Sequence, residues 1–219
     1  GDKDQKILAL NVGSDNWDDW VVWRDGQDLP DEMRTDFLES YNTLEDPNHV
    51  IGHGRWLCRG GSLLITGQSG IGKSSFTMQT ACSWALGREL FGIPVKKALR
   101  VGVIQAECDV GDLAEAYQGV TSSMDLSAAD RQVLRQNLIF YTETSKTGKD
   151  FADLVRKIVV RQHLDVIFCD PLLSYVGGDL SKQEVASHFL RNCIQPILKD
   201  TGCIIVFTHH EGKPKPKDV

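Results

Sequence analysis

Residues 62–74 read Ser62-Leu63-Leu64-Ile65-Thr66-Gly67-Gln68-Ser69-Gly70-Ile71-Gly72-Lys73-Ser74. A β-prone apolar run passes without a linker into Gly67–Ser74, which satisfies G-x-x-x-x-G-K-[ST], and a helical pattern opens at Lys73. Glycines let backbone N–H groups curl around phosphate oxygens, with a helix N-terminus behind them. Lys73 is placed to reach β- and γ-phosphates, and the Ser74 hydroxyl to ligate Mg²⁺. We assign nucleotide binding to Gly67, Gln68, Ser69, Gly70, Ile71, Gly72, Lys73, Ser74 and Ser75. The cofactors expected are ATP and Mg²⁺. Two glycines, a lysine and a Ser/Thr at these spacings arise by chance on the order of once in a hundred such chains. The strand before and the helix after lower that further.

Outward from the cradle, further β-rich runs fall at Val101–Gln105, Leu138–Tyr141, Asp165–Cys169 and Cys203–Phe207. Helical patterns lie between most of them, at about Lys73–Leu86, Val110–Ser122 and Asp150–Gln162. A fourth helix is expected from Ser181 toward Lys199, opened by a Ser181–Glu184 capping box and kinked at Pro196. Strands alternating with helices predict an α/β fold, a mainly parallel sheet with helices on both faces.

Three strand ends carry chemistry. Asp170 closes Asp165–Cys169 at the carboxyl edge, where a parallel sheet places its ligands, and is assigned with Ser74 to the metal. Glu107 follows Val101–Gln105 and is assigned to polarise the water that attacks the γ-phosphate, although an acid beside Asp109 also suits a helix N-terminus. Thr208 and His209 end the last strand and are expected to hydrogen-bond the γ-phosphate. Lys73, Glu107 and His209 form the catalytic set.

The 219 residues carry 41% hydrophobic and 25% charged side chains, enough for a sizeable core, which excludes whole-chain disorder. No run of 18 apolar residues suggests a membrane span, and no apolar run follows Gly1-Asp2-Lys3-Asp4, so a cytoplasmic, non-membrane protein is expected. Residues 1–50 hold 13 acids against 4 Lys/Arg, whereas the net charge of the whole is −6. An acidic extension over 1–50, packing on an ATPase domain over 51–219, is therefore expected. Trp17, Trp20 and Trp23, spaced by three, suggest a helical or turn-like docking face there, the alternative being an aromatic platform for a base or partner. The balance excludes a strongly basic, permanently bound nucleic-acid protein. The six cysteines lack a C-x-x-C pair and read as buried, reduced thiols.

Together, Gly67–Ser74, Ile104-Gln105-Ala106-Glu107, Asp170-Pro171-Leu172-Leu173 and Thr208-His209-His210-Glu211-Gly212-Lys213 resemble the RecA superfamily of P-loop ATPases, especially its RepA-like branch of replicative helicase ATPases. The resemblance implies a RecA-like core that hydrolyses ATP, homo-oligomeric assembly as a ring (a hexamer being one form) or a filament, and single-stranded DNA passing near the axis. The family core continues through further strands, where an arginine finger commonly lies, so none is assigned. Tyr175, beside Gly177-Gly178, is expected to stack on a base, and Lys213, Lys215 and Lys217 to contact phosphates.

The leading function is a motor or loader ATPase on single-stranded DNA in replication of a plasmid or mobile element. Alternatives are a recombinase-like or regulatory relative acting on protein partners, and a P-loop kinase. Residues 123–149 hold Arg131, Arg135, Lys146 and Lys149 but no arginine-rich lid, which argues against the kinase.

Overall fold

The computed structural model describes residues 7–11, 20–24 and 33–211. It divides into two units, Gly1–Asn42 and Thr43–Val219. In the first, β1 (Ile7–Asn11) pairs antiparallel with β2 (Trp20–Arg24), and α1 spans Thr35–Ser40. Trp20 and Trp23 thus lie on a strand, not on the expected helical or turn-like face; β-branched Val21 and Val22 between them favour the extended chain. Trp17 lies outside the described residues.

The second unit begins before residue 50. Its β3 (His49–Ile51) pairs with β4 (Leu57–Cys58), and Val50 and Ile51 are buried among its core residues. Then follow β5 (Ser62–Gly67), α2 (Lys73–Ala85), β6 (Val101–Gln105), α3 (Val110–Ser123), α4 (Ala128–Asn137), β7 (Leu138–Thr142), α5 (Gly148–Gln162), β8 (Val166–Asp170), α6 (Leu172–Val176) and α7 (Gln183–Ser187). A π-helical segment, His188–Ile194, leads into α8 (Gln195–Thr201), and β9 (Ile204–His210) closes the order.

Strands β5, β9, β8, β6 and β7 form one parallel sheet in that order, so β9 is inserted between the cradle strand and the Asp170 strand. Strand periodicity sends alternate side chains to two cores. Ile167, Cys169, Ile205 and Phe207 pack with Phe151, Val155, Ile194 and Ile197 on one face. Val166, Phe168, Ile204 and Val206 pack with Met78, Ala81, Cys82 and Trp84 on the other. Helices cover both faces, as a RecA-like α/β P-loop core requires.

Three local expectations change. Ser181 caps nothing: its N–H donates to the Asp179 carboxylate at 2.9 Å, and the next helix starts after Lys182. Asp179 offers the shorter loop closure, an Asx-type turn, and wins. Pro196 does not kink an α-helix; the chain widens into the π-helical segment ahead of it, with the Gln195 N–H donating to Leu190 O. The ring would crowd the carbonyl four residues back, and the wider turn relieves that crowding. The third change is α4, unmarked in the apolar pattern because Leu134 is its one buried residue. Its legible signal is the Ser127–Asp130 capping box, in which each side chain accepts the other's backbone N–H.

Candidate functional site

The carboxyl ends of β5, β9, β8 and β6 lie side by side. The register sets Thr66 opposite His209, Gly67 opposite His210 and Gln105 opposite Asp170. One sheet edge therefore receives the cradle, the two histidines, the metal-assigned acid and the segment leading to Glu107.

Backbone geometry shapes the cradle. Gly72, the N-cap of α2, has φ +91°, a left-handed conformation that side chains rarely adopt. At Gly67 a Cβ would lie 2.4 Å from Ile71 Cδ1, so the exposed Ile71 side chain would have to swing aside to admit one. Gln68, Ser69, Gly70, Ser74 and Ser75 complete the loop and the first turn of α2. The Lys73 side chain is 7% exposed, and its Nζ donates to Gly67 O and Gln68 O, each at 2.7 Å. A buried ammonium held by two carbonyl dipoles is undercompensated, and an arriving phosphate supplies the missing negative charge.

Asp170 is 3% exposed and held from three sides. Its Oδ2 accepts from Ser74 Oγ at 3.1 Å and from Gln105 Nε2 at 2.9 Å, and its Oδ1 accepts from Thr208 Oγ1. Thr208 is thereby corrected. Its hydroxyl is fully buried and committed to Asp170, not turned toward a γ-phosphate, because β9 lies directly beside β8. The Ser74 hydroxyl and the Asp170 carboxylate are hard oxygen donors in contact with each other, which fits Mg²⁺ with its preference for a few oxygens and retained waters.

Glu107 emerges just beyond β6 with its side chain 59% exposed, free to meet substrate and water. Among the described residues it faces His210, whose Nε2 lies 3.9 Å from Glu107 Oε2. His209 is half-buried, and the Nδ1 atoms of both histidines are buried without a hydrogen-bond partner. Sequence reasoning missed His210 and Gln105. Period-2 alternation tells that adjacent histidines face opposite ways, but not which one meets Glu107.

Tyr175 requires a second correction. It belongs to α6 rather than to a loop, is 1% exposed, and stacks on Phe151 with centroids 3.9 Å apart and planes 9° apart. Burial and the nearby Cys169 and Asp170 push its hydroxyl pKa upward. A ring closed in this core has no face for a base. Lys213, Lys215 and Lys217 lie outside the described residues.

Among the described residues no group of His, Cys, Asp and Glu forms a separate metal cluster, and no helix is long and apolar enough to cross a membrane. Comparison with curated proteins found no match. A family model described as an AAA domain matches residues 27–216, most of the chain and the whole of the site above. With a phosphate cradle at Gly67–Ser74, an oriented acid at Asp170 and a five-stranded parallel sheet beneath them, this chain belongs to the AAA domain family of P-loop ATPases.

Proposed function

We propose that the chain is an ATP hydrolase of the RecA/RepA-like kind, working as a homo-oligomeric ring motor or loader on single-stranded DNA. The observation that carries the hydrolytic part is the convergence of Lys73, Ser74, Asp170, Glu107 and His210 from four strand ends on one edge. In this reading Lys73 leaves the two loop carbonyls for the terminal phosphates. Ser74 and Asp170 hold Mg²⁺, which supplies charge neutralisation on the phosphate oxygens. Glu107 accepts the proton of the attacking water, worth roughly 10²- to 10⁴-fold in rate. Gln105 and Thr208 keep the Asp170 carboxylate aimed. His209 and His210 sense the phosphate from β9, and His210 also positions Glu107.

The DNA part rests on the Asp-Pro-Leu and Thr-His-His-Glu-Gly-Lys motifs and on Lys213, Lys215 and Lys217 just after β9. With Tyr175 closed away, those lysines are the remaining candidate contacts. The test is ATP turnover with and without single-stranded DNA, run beside light scattering. Stimulated turnover by an assembled species is expected. Turnover indifferent to DNA at low salt would overturn the DNA part, and absent turnover would overturn the whole reading.

A further inference from the structure

A cavity of about 180 Å³ opens on the amino edge of the sheet, and no residue of the nucleotide site lines it. Arg100 precedes β6, Arg135 and Gln136 lie in the last turn of α4 just before β7, and Gln162 ends α5. His163, which follows, adopts the left-handed conformation with φ +50°. The chain reverses there so tightly that Gln162 and Leu164 line the same cavity. The five-residue strands β6, β7 and β8 separate this edge from the nucleotide edge by roughly 15 Å.

Charge is unbalanced here. Among the described residues no acid lines the cavity, and neither Arg100 nor Arg135, both exposed, forms an ion pair. Arg59, Arg88 and Arg156 by contrast each hold an aspartate. Acids close by are already met. Asp165 accepts the Arg100 N–H at 3.0 Å and faces Arg59 at 3.3 Å and Lys97 at 3.7 Å, and Asp130 faces Arg88 at 2.9 Å. Arg131 and Arg161, exposed on α4 and α5, add to the positive field. Carbonyls at the two helix ends subtract little from it. Leu134 O accepts the Leu138 N–H, and Val159 O and Val160 O accept from Leu164 and His163. Arg135 also complements the end of α4, but Arg100 belongs to no helix.

Two guanidinium forks offer paired N–H donors to the oxygens of one tetrahedral anion, and two positive charges match a dianion. Gln136 and Gln162 add carboxamide donors, while Leu138 and Leu164 give an apolar side for a short carbon stem. A phosphodiester carries a single negative charge and continues at both ends, which suits an enclosed cavity less well than a terminal group. We propose that this cavity binds a small phosphate monoester, held as its dianion by Arg100 and Arg135. The site is separate from the ATP cradle and does not rest on the hydrolytic reading.

The probe is ethyl phosphate, titrated at pH 8, where the monoester is doubly charged, into the full isotope-labelled chain while amide shifts are followed by NMR. Saturable shifts are expected at Arg100, Gln136 and Gln162. Shifts at Gly70 and Gly72 report the cradle separately. Diethyl phosphate should act on the first set at least about tenfold more weakly, and so should ethyl phosphate on the double variant Arg100→Gln with Arg135→Gln. That variant should leave the cradle set unchanged. If it misfolds, the two esters on the unaltered chain still decide. The proposal falls if ethyl phosphate gives no saturable shift at the amino edge, if the diester does equally well, or if the double variant binds unchanged. It falls equally if single-stranded DNA moves that set of amides and ethyl phosphate does not.

Discussion

Lys73 is a buried ammonium that donates, among the described residues, to two carbonyls of its own loop, which makes it the residue on which nucleotide binding turns. Lys73→Ala should sharply weaken ATP affinity or turnover while the fold persists, since the helix it opens keeps its apolar packing. Calorimetric titration with ATP checks this, and unchanged affinity together with unchanged turnover would remove the cradle assignment. Glu107→Gln should retain ATP binding and lose roughly 10²- to 10⁴-fold in hydrolysis, because the amide keeps the shape and loses the base. His210→Gln tests positioning at the same carboxylate. It should lower turnover at unchanged ATP affinity; a matched loss of affinity would mean that His210 only supports the cradle. Asp170→Asn should instead raise the Mg²⁺ concentration needed for half-maximal turnover, because the carboxylate fixed by three donors is the acid that would hold the metal with Ser74.

Helix α4 shows how an element is held without much core. One buried side chain, Leu134, is supplemented by the Ser127–Asp130 box and by an Arg88–Asp130 ion pair at 2.9 Å that ties α4 to the chain just after α2. The Ser127 hydroxyl and N–H, with Arg88 adding charge, hold the Asp130 carboxyl below the ordinary carboxylate range. A depressed folded-state value means that the contribution is present at neutral pH and is lost as pH falls through that value, below about 4. Ser127→Ala should cost about 1 kcal/mol at pH 7, the usual worth of an N-cap. It should also flatten the acid side of the stability curve. Thermal melts of both proteins between acid and neutral pH read both effects, and parallel curves would show that the box does not couple to Asp130.

At the scale of the whole molecule, two cores flank the five-stranded sheet and bury Cys82, Cys169, Cys193 and Cys203, whereas Cys58 and Cys108, expected to be buried, are only half-buried. Burial raises the Cys82 thiol to about 11 and Cys203 to about 12, and pushes Cys169 upward as well. Native protein at pH 8 should therefore alkylate these three far more slowly than the half-buried Cys58, and unfolding should level the rates; equal native rates would contradict the core. The net charge of −6 bears on the DNA reading. Affinity for single strands should depend on assembly and fall steeply with salt, and replacing Lys213, Lys215 and Lys217 together should reduce that salt slope. A slope unchanged in the triple variant would take the lysines out of the interface.

What the sequence by itself determined is whatever depends on neighbours along the chain. The cradle needs residues at fixed offsets on one strand–turn–helix, so Gly67–Ser74 was legible, as were the five sheet strands and the strand-end positions of Glu107 and Asp170. The Ser127–Asp130 box was local too, and only the sparse apolar pattern of α4 concealed it. What tertiary structure alone decided is which groups meet across strands. Thr208 serves Asp170 because β9 is inserted beside β8; His210 rather than His209 approaches Glu107 because of the face on which β9 alternates. Tyr175, which follows a strand and precedes two glycines, has the local pattern of an exposed loop, yet it is buried because Phe151, 24 residues earlier on α5, offers a flat apolar partner. Such choices rest on packing between segments far apart in the chain, where the gain from burying an aromatic ring outweighs local preference for a loop.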